Sequence, residues 1–319
     1  MRNKKTYLFL ILTIAATAFC VLYLTFQTYG NWQFAWQIRS RRVAAFVLTA
    51  LAVSGSTISF QTVTRNQFLT PSILGMDSLY ILIQTLLFFV VGGITMLQQT
   101  SIAFFFGNIF LMTGFSLLLF SFLLKKEQGN LFLLLMIGMI LGTLFSSIST
   151  FLQVIMDPNE YDLLQGRLFA SFGNIPIQYL LPGSILIAGC WFVLFKFHRY
   201  LDVLHLGREQ AVNLGVDVDR LQFLILCCVS IMTGSATALV GPITFLGFIA
   251  ANVSYRLFAS HRHKELFFGS FLIAVIFLIG GQFFVEHVFG WRTTVSVVVE
   301  FVGGVYFVGK LLRERKTVQ

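Results

Sequence analysis

The stretch Leu266-Phe-Phe-Gly-Ser-Phe-Leu-Ile-Ala-Val-Ile-Phe-Leu-Ile-Gly-Gly-Gln-Phe-Phe-Val285 decides the fold class. It runs 20 residues without a charge, the length an α-helix needs to cross the hydrocarbon core of a bilayer. A helix pairs its own backbone groups, so lipid tolerates it where an open strand would be left unsatisfied. Comparable runs recur near 7–27, 43–63, 75–93, 101–124, 130–156, 176–197, 220–240 and 293–312. A shorter apolar piece at 243–256 follows Gly241-Pro242 and reads as a tenth, broken span. Interrupted backbone at that depth must lie against protein or a water-filled path. The expectation is a single all-α polytopic membrane domain over residues 1–319, with about ten transmembrane helices.

Composition agrees. Hydrophobic residues make up 57% of the chain and charged residues 11%, where a soluble domain carries about 25% charge. Mean hydropathy is +0.83. The net charge of +9 does not point to nucleic acid, because Lys and Arg sit in short clusters between apolar runs and form no basic face. Cys20, Cys190, Cys227 and Cys228 all lie inside apolar runs, without CxxC spacing, which supports neither a disulfide framework nor a zinc site. His261 and His263 share a basic loop but have no third ligand at usable spacing. The first apolar run is longer than the usual signal-peptide core of about 7–15 residues, so it reads as a retained first helix.

Basic residues orient the bundle. With the N-terminus inside, only Arg39, Arg41, Arg42, Arg167 and Arg292 of the 22 Lys and Arg fall on the outer side. That is the bias of the positive-inside rule, and it places both termini in the cytoplasm.

The longest inner connection contains Leu204-His-Leu-Gly-Arg-Glu-Gln-Ala-Val-Asn-Leu-Gly-Val216. It is helix-compatible and amphipathic, and Gly215 is a good helix stop. Its pattern L-G-x-E-x-A-x-x-L-G-V resembles the coupling helix of the iron-chelate and vitamin B12 ABC-importer permeases, the FecCD-type family. Four further segments agree in chain order. Arg39-Ser-Arg-Arg42 resembles the family's R-L-P-R. Arg65-Asn66-Gln67-Phe68-Leu69 with Pro71 and Leu74-Gly75 is similar to N-P-L-A-x-P-x-x-L-G. Gly241-Pro-Ile-Thr-Phe-Leu-Gly-Phe-Ile249 is similar to G-x-I-x-F-V-G-L-I, and Val302-Gly303-Gly304-Val305-Tyr306-Phe307 stands in the place of L-G-A-P-F-F. The likeness spans about 7–312. It departs at Ala251-Asn252 for Pro-His, at Gln67 for Pro, at Arg41 for Pro, and at Gln282 for an acidic residue. These departures point to a divergent branch of the kind that carries catecholate siderophores.

The resemblance implies a permease subunit of an ATP-driven importer for a ferric siderophore in the bacterial cytoplasmic membrane. It implies a second permease subunit (identical or homologous), two ATPase subunits and an extracytoplasmic substrate-binding protein. No GxxxxGK[ST] occurs, so ATP and Mg belong to the ATPases. The chain itself is expected to catalyse no bond chemistry and to bind no cofactor, metal or nucleic acid. Leu206, Gly207, Glu209, Ala211, Leu214 and Gly215 are the expected ATPase-coupling residues. Arg39, Arg42 and Arg292 are expected to dock the binding protein, since a guanidinium pairs a carboxylate bidentately; headgroup anchoring is the plainer reading.

Ser146, Ser149, Gln153 and Glu300 are the expected path residues. An ionisable group at the depth of Glu300 costs about 2.5–3.5 kcal/mol, so it should face protein rather than lipid; a helix-to-helix hydrogen bond would meet the same need. Small hydroxyl residues on the fifth span also serve packing. Within the family, haem or cobalamin is the alternative cargo. From another class, an ion-coupled secondary transporter would show matching broken helices in both halves, and only one Gly-Pro break is evident. A membrane-embedded enzyme would need a clustered His or acid constellation, which is absent from the sequence.

Overall fold

The computed structural model describes residues 2–26, 32–98, 101–126, 131–170, 172–173, 175–290 and 293–315. Among these, every regular element is helical. In chain order they are α1 (Arg2–Thr25), α2 (Trp32–Thr64), a 3-10 turn (Pro71–Leu74), α3 (Met76–Val91), α4 (Gly93–Gln98), α5 (Ile102–Lys126), α6 (Leu131–Ile155) and α7 (Pro158–Leu168). They continue as α8 (Ile177–Lys196), α9 (His198–Leu206), α10 (Arg208–Asn213), α11 (Val218–Val240), α12 (Leu246–Phe258), α13 (His263–His287) and α14 (Val295–Arg315). Among the described residues seven helices are long and apolar enough to cross a membrane: α1, α2, α5, α6, α8, α11 and α13. With the shorter α3 and α12 and the charged-ended α14 read as crossings, the described residues hold ten.

The bundle is layered. Two-thirds of the apolar windows of α2 and α11 are buried, against 11% in α1 and 17% in α6, so α2 and α11 form the centre. In lipid no hydrophobic force gathers helices, and close approach comes from small residues. Gly75 (φ 80°) lies so near Gly142 of α6 that a Cβ would come 2.9 Å from the Gly142 Cα. Gly247 of α12 sits directly on the Thr57 hydroxyl of α2. These contacts set the 3-10 turn against α6, and α12 against α2.

Three stretches differ from the sequence reading. The polar segment before residue 43 is already helical, so Arg39 and Arg42 ride on the first turns of α2. The run 75–93 stops at Val91, where Gly92 at φ 88° and ψ 142° adopts a conformation open to glycine and α4 begins. The expected single helix at 204–216 is two pieces, α9 and α10, because Gly207 takes φ 127° and ψ 159° between them. The polar segment at 157–174 contains α7, opened by Pro158 and capped by Asp157 accepting from the Asn159 amide at 2.9 Å. The Gly93 amide donates to the Glu160 carboxylate, pinning α7 to the start of α4.

Candidate functional site

The 204–216 segment projects apolar side chains while staying anchored. Leu206, Val212 and Leu214 are exposed at 60%, 53% and 64%, and Glu209 and Gly215 are exposed beside them. Ala211 is fully buried. The end of α10 is a Schellman turn. Gly215 (φ 81°) donates to Val212 O at 2.9 Å, and Val216 N donates to Ala211 O at 3.0 Å. Arg208 Nη2 reaches Asp219 Oδ1 at 2.7 Å, tying α10 to the start of α11. At the α9–α10 hinge a Cβ on Gly207 would meet Gln210 Oε1 at 2.5 Å and the Arg65 guanidinium at 2.9 Å. Arg65 itself holds φ 52° at the end of α2. The two segments singled out in sequence, 65–75 and 204–216, thus meet at Gly207.

Behind the hinge lies a polar cluster that sequence reasoning missed. His263 is fully buried at the start of α13. Its backbone amide and its Nδ1 both lie 2.7 Å from Asp202 Oδ1 on α9, and its Nε2 lies 2.6 Å from Thr62 Oγ1 on α2. Burial alone would raise the Asp202 carboxyl, but the hydrogen bonds from His263 hold it below the usual carboxylate value. Burial pushes the His205 imidazole below its ordinary value, helped by the His263 and His261 rings beside it. Both His263 ring nitrogens are occupied, which leaves no ligand atom for a metal. A histidine next to a span start, with an Asp in the preceding inner helix, was the available sequence signal.

At the outer end the structure places Arg39 and Arg42 against the protein's own groups. Arg39 Nη1 donates to Tyr23 O at 2.9 Å and Phe26 O at 2.6 Å, where α1 ends in unpaired carbonyls. Arg42 pairs with Glu286 of α13 at 3.1 Å, with side-chain exposures of 17% and 6%. The Tyr23 hydroxyl and Gln282 Nε2 donate to the same Glu286 oxygen, each at 2.8 Å. Glu286 stands one helical turn after Gln282 on α13. Arg41 is exposed. Arg292 lies outside the described residues.

The path residues divide. Ser149 is buried and bonds back to Phe145 O at 2.8 Å, and half-buried Gln153 Nε2 reaches Thr85 of α3 at 3.1 Å. Ser146 is exposed, bonds Ser78 at 3.1 Å, and shares an open hydroxyl face with Thr143, Ser147 and Thr150. Glu300 is exposed on α14 between Val297 and Phe301, themselves 41% and 73% exposed. Asp77, unremarked in sequence, stands at the start of α3 and accepts from Thr244 in the 241–245 break at 3.3 Å.

Residues 6–313 match the model of the FecCD transport family. The chain belongs to that family. It is 43% identical to the Petrobactin import system permease protein YclO of Bacillus subtilis (strain 168), over 99% of this chain and 100% of that one. It is 36% identical to the Petrobactin import system permease protein FatC of Bacillus anthracis, over 86% of this chain and 77% of that protein. A solved metal-chelate type ABC transporter in an inward-facing conformation superimposes with a TM-score of 0.84 at 23% identity, covering 97% of this chain and 99% of that chain. The FecCD assignment makes the chain a multi-pass permease subunit of an ABC importer, as the five ordered motifs implied.

Proposed function

We propose that this FecCD permease carries a ferric siderophore of the catecholate class across the bacterial cytoplasmic membrane, with both termini in the cytoplasm. The structural observation that carries the reading is Glu300, exposed on the second turn of α14 (Val295–Arg315) among apolar side chains. A carboxylate facing acyl chains is costly, so the open face of α14 is covered by something polar. A second permease subunit, identical or homologous, supplies that cover, with the aqueous path between the two. The hydroxyl face of α6 and the Asp77–Glu300 acids line it, offering weak multi-point contacts suited to handing a polar chelate onward. The names of the petrobactin permease relatives support the cargo class.

Leu206, Val212 and Leu214, with Glu209, form the surface for one of two ATPase subunits, which hold ATP and Mg. An extracytoplasmic binding protein meets the outer end. Arg39 and Arg42 support that docking face through their internal contacts, and the exposed Arg41 is available for direct pairing. The test is uptake of iron-55 siderophore by the complex purified with its partners and reconstituted in lipid. Glu300→Gln is expected to slow uptake severalfold while every subunit still co-purifies. Wild-type uptake by that variant would remove Glu300 from the path. Transport of haem or cobalamin in place of the siderophore would overturn the cargo assignment.

A further inference from the structure

We infer that His263 is the positioning residue through which movement of the cytoplasmic segment reaches the second span. The inference rests on the reading that Leu206–Gly215 meets an ATPase. His263 is the one described residue whose side chain hydrogen-bonds both α9 and α2 while belonging to α13, through Asp202 at 2.7 Å and Thr62 at 2.6 Å. Asp202 stands in the same nine-residue helix as Leu206, just before the Gly207 hinge. Thr62 stands one turn before Arg65, whose guanidinium lies against Gly207. The end of α2 therefore grips the moving segment twice, once at the hinge and once through the imidazole to the body of α9.

The chemistry suits a link that must hold its register. An ionised carboxylate only accepts, so Nδ1 carries the proton toward Asp202. That bond is charge-assisted, and a second bond from the His263 backbone amide fixes the same oxygen. The Thr62 hydroxyl accepts from Nε2 of a charged ring while donating to Ile58 O at 3.0 Å, or turns its one proton from Ile58 to Nε2 of a neutral ring. The groups facing the imidazole are Asp202, His198 and His205 from α9, Thr62 from α2, and Tyr255 of α12, whose hydroxyl also reaches Thr62. Apolar packing could slide under load. Two short bonds on opposite edges of one planar, buried ring transmit a displacement along its axis.

The experiment uses the complete reconstituted importer and reads siderophore transported per ATP hydrolysed. Thr62→Val keeps the shape and removes the hydroxyl; Thr62→Ser keeps the hydroxyl. The valine variant is expected to transport roughly 2- to 30-fold less per ATP, the range of coupling changes that intermediate residues produce, with ATP hydrolysis retained. The serine variant is expected to match wild type. His263→Asn retains a group facing Asp202 but falls short of Thr62, so adding Thr62→Val to it should bring no further loss. Unchanged transport per ATP in Thr62→Val, or full additivity of the two changes, overturns the inference. Failure of the ATPases to co-purify with the wild-type chain would instead remove the docking reading beneath it.

Discussion

The two ends of α13 each bury a titratable residue that holds three helices, and they do so for different purposes. At the outer end Glu286 gathers Arg42 from α2, Tyr23 from α1 and Gln282 from its own helix. All of these elements are membrane spans, so the cluster clamps spans to one another. At the other end His263 joins α2 to α9, a short helix not among the candidate spans, on which exposed Leu206 projects. One cluster closes on itself, while the other leads to a surface. A buried polar group that bonds only spans marks rigidity, and one that bonds a span to a projecting connector marks transmission.

The largest effect expected from breaking that comparison is at the clamp. Glu286→Ala leaves the Arg42 charge largely buried without its carboxylate and removes the acceptor of the Tyr23 hydroxyl. Removing one partner of a buried pair costs about 3–5 kcal/mol, and the residual exposure of Arg42 puts the value near the lower bound. Thermal unfolding of the purified chain in detergent should drop sharply, while transport per ATP by the surviving complex stays close to wild type. A large coupling defect at unchanged stability would erase the distinction between the two ends.

The hinge comes next. Gly207→Ala places a Cβ against Gln210 and Arg65 at a φ of 127°, where strain is of order 1–3 kcal/mol. Gly215→Ala is strained only by its φ of 81°, with open space around it, and should cost less. Melting curves and ATPase co-purification of the pair rank the two glycines. Equal losses would show that the close approach of Arg65 to Gly207 contributes nothing.

Much of this was legible in sequence because membrane helices announce themselves by length and apolarity. The spans at 176–197, 220–240 and 266–285 match α8, α11 and α13 within a few residues. The 204–216 segment was visible through its L-G-x-E-x-A-x-x-L-G-V pattern. Its division at Gly207 was not, because a helix-compatible stretch hides a break whose close approach to Arg65 comes from another part of the chain. Arg39 and Arg42 stood out as exceptions to the charge rule. The reason for them, unpaired carbonyls ending α1 and a carboxylate 244 positions away, is a matter of three-dimensional proximity. Asp77 and Asp202 went unremarked for the same cause, since a lone acid carries no pattern and gains meaning from Thr244 or His263 beside it.

The smallest expected effect is at the inner cluster, and it is a matter of pH. Hydrogen bonds from His263 hold the Asp202 carboxyl below its ordinary value against the opposing influence of burial. A group whose folded value is depressed adds stability that is complete above its unfolded value, near 3.8, and lost as pH falls through the folded one. The Asp202 contribution should therefore be constant from neutral pH down to about pH 5 and fade only below about pH 4. Asp202→Asn removes that dependence, so the difference in melting temperature between wild type and variant should shrink in the acid range and stay flat above it. A difference that instead changes between pH 6 and 8 would place the titrating group on an imidazole, and the inner end would then be a proton-sensitive switch rather than a fixed link.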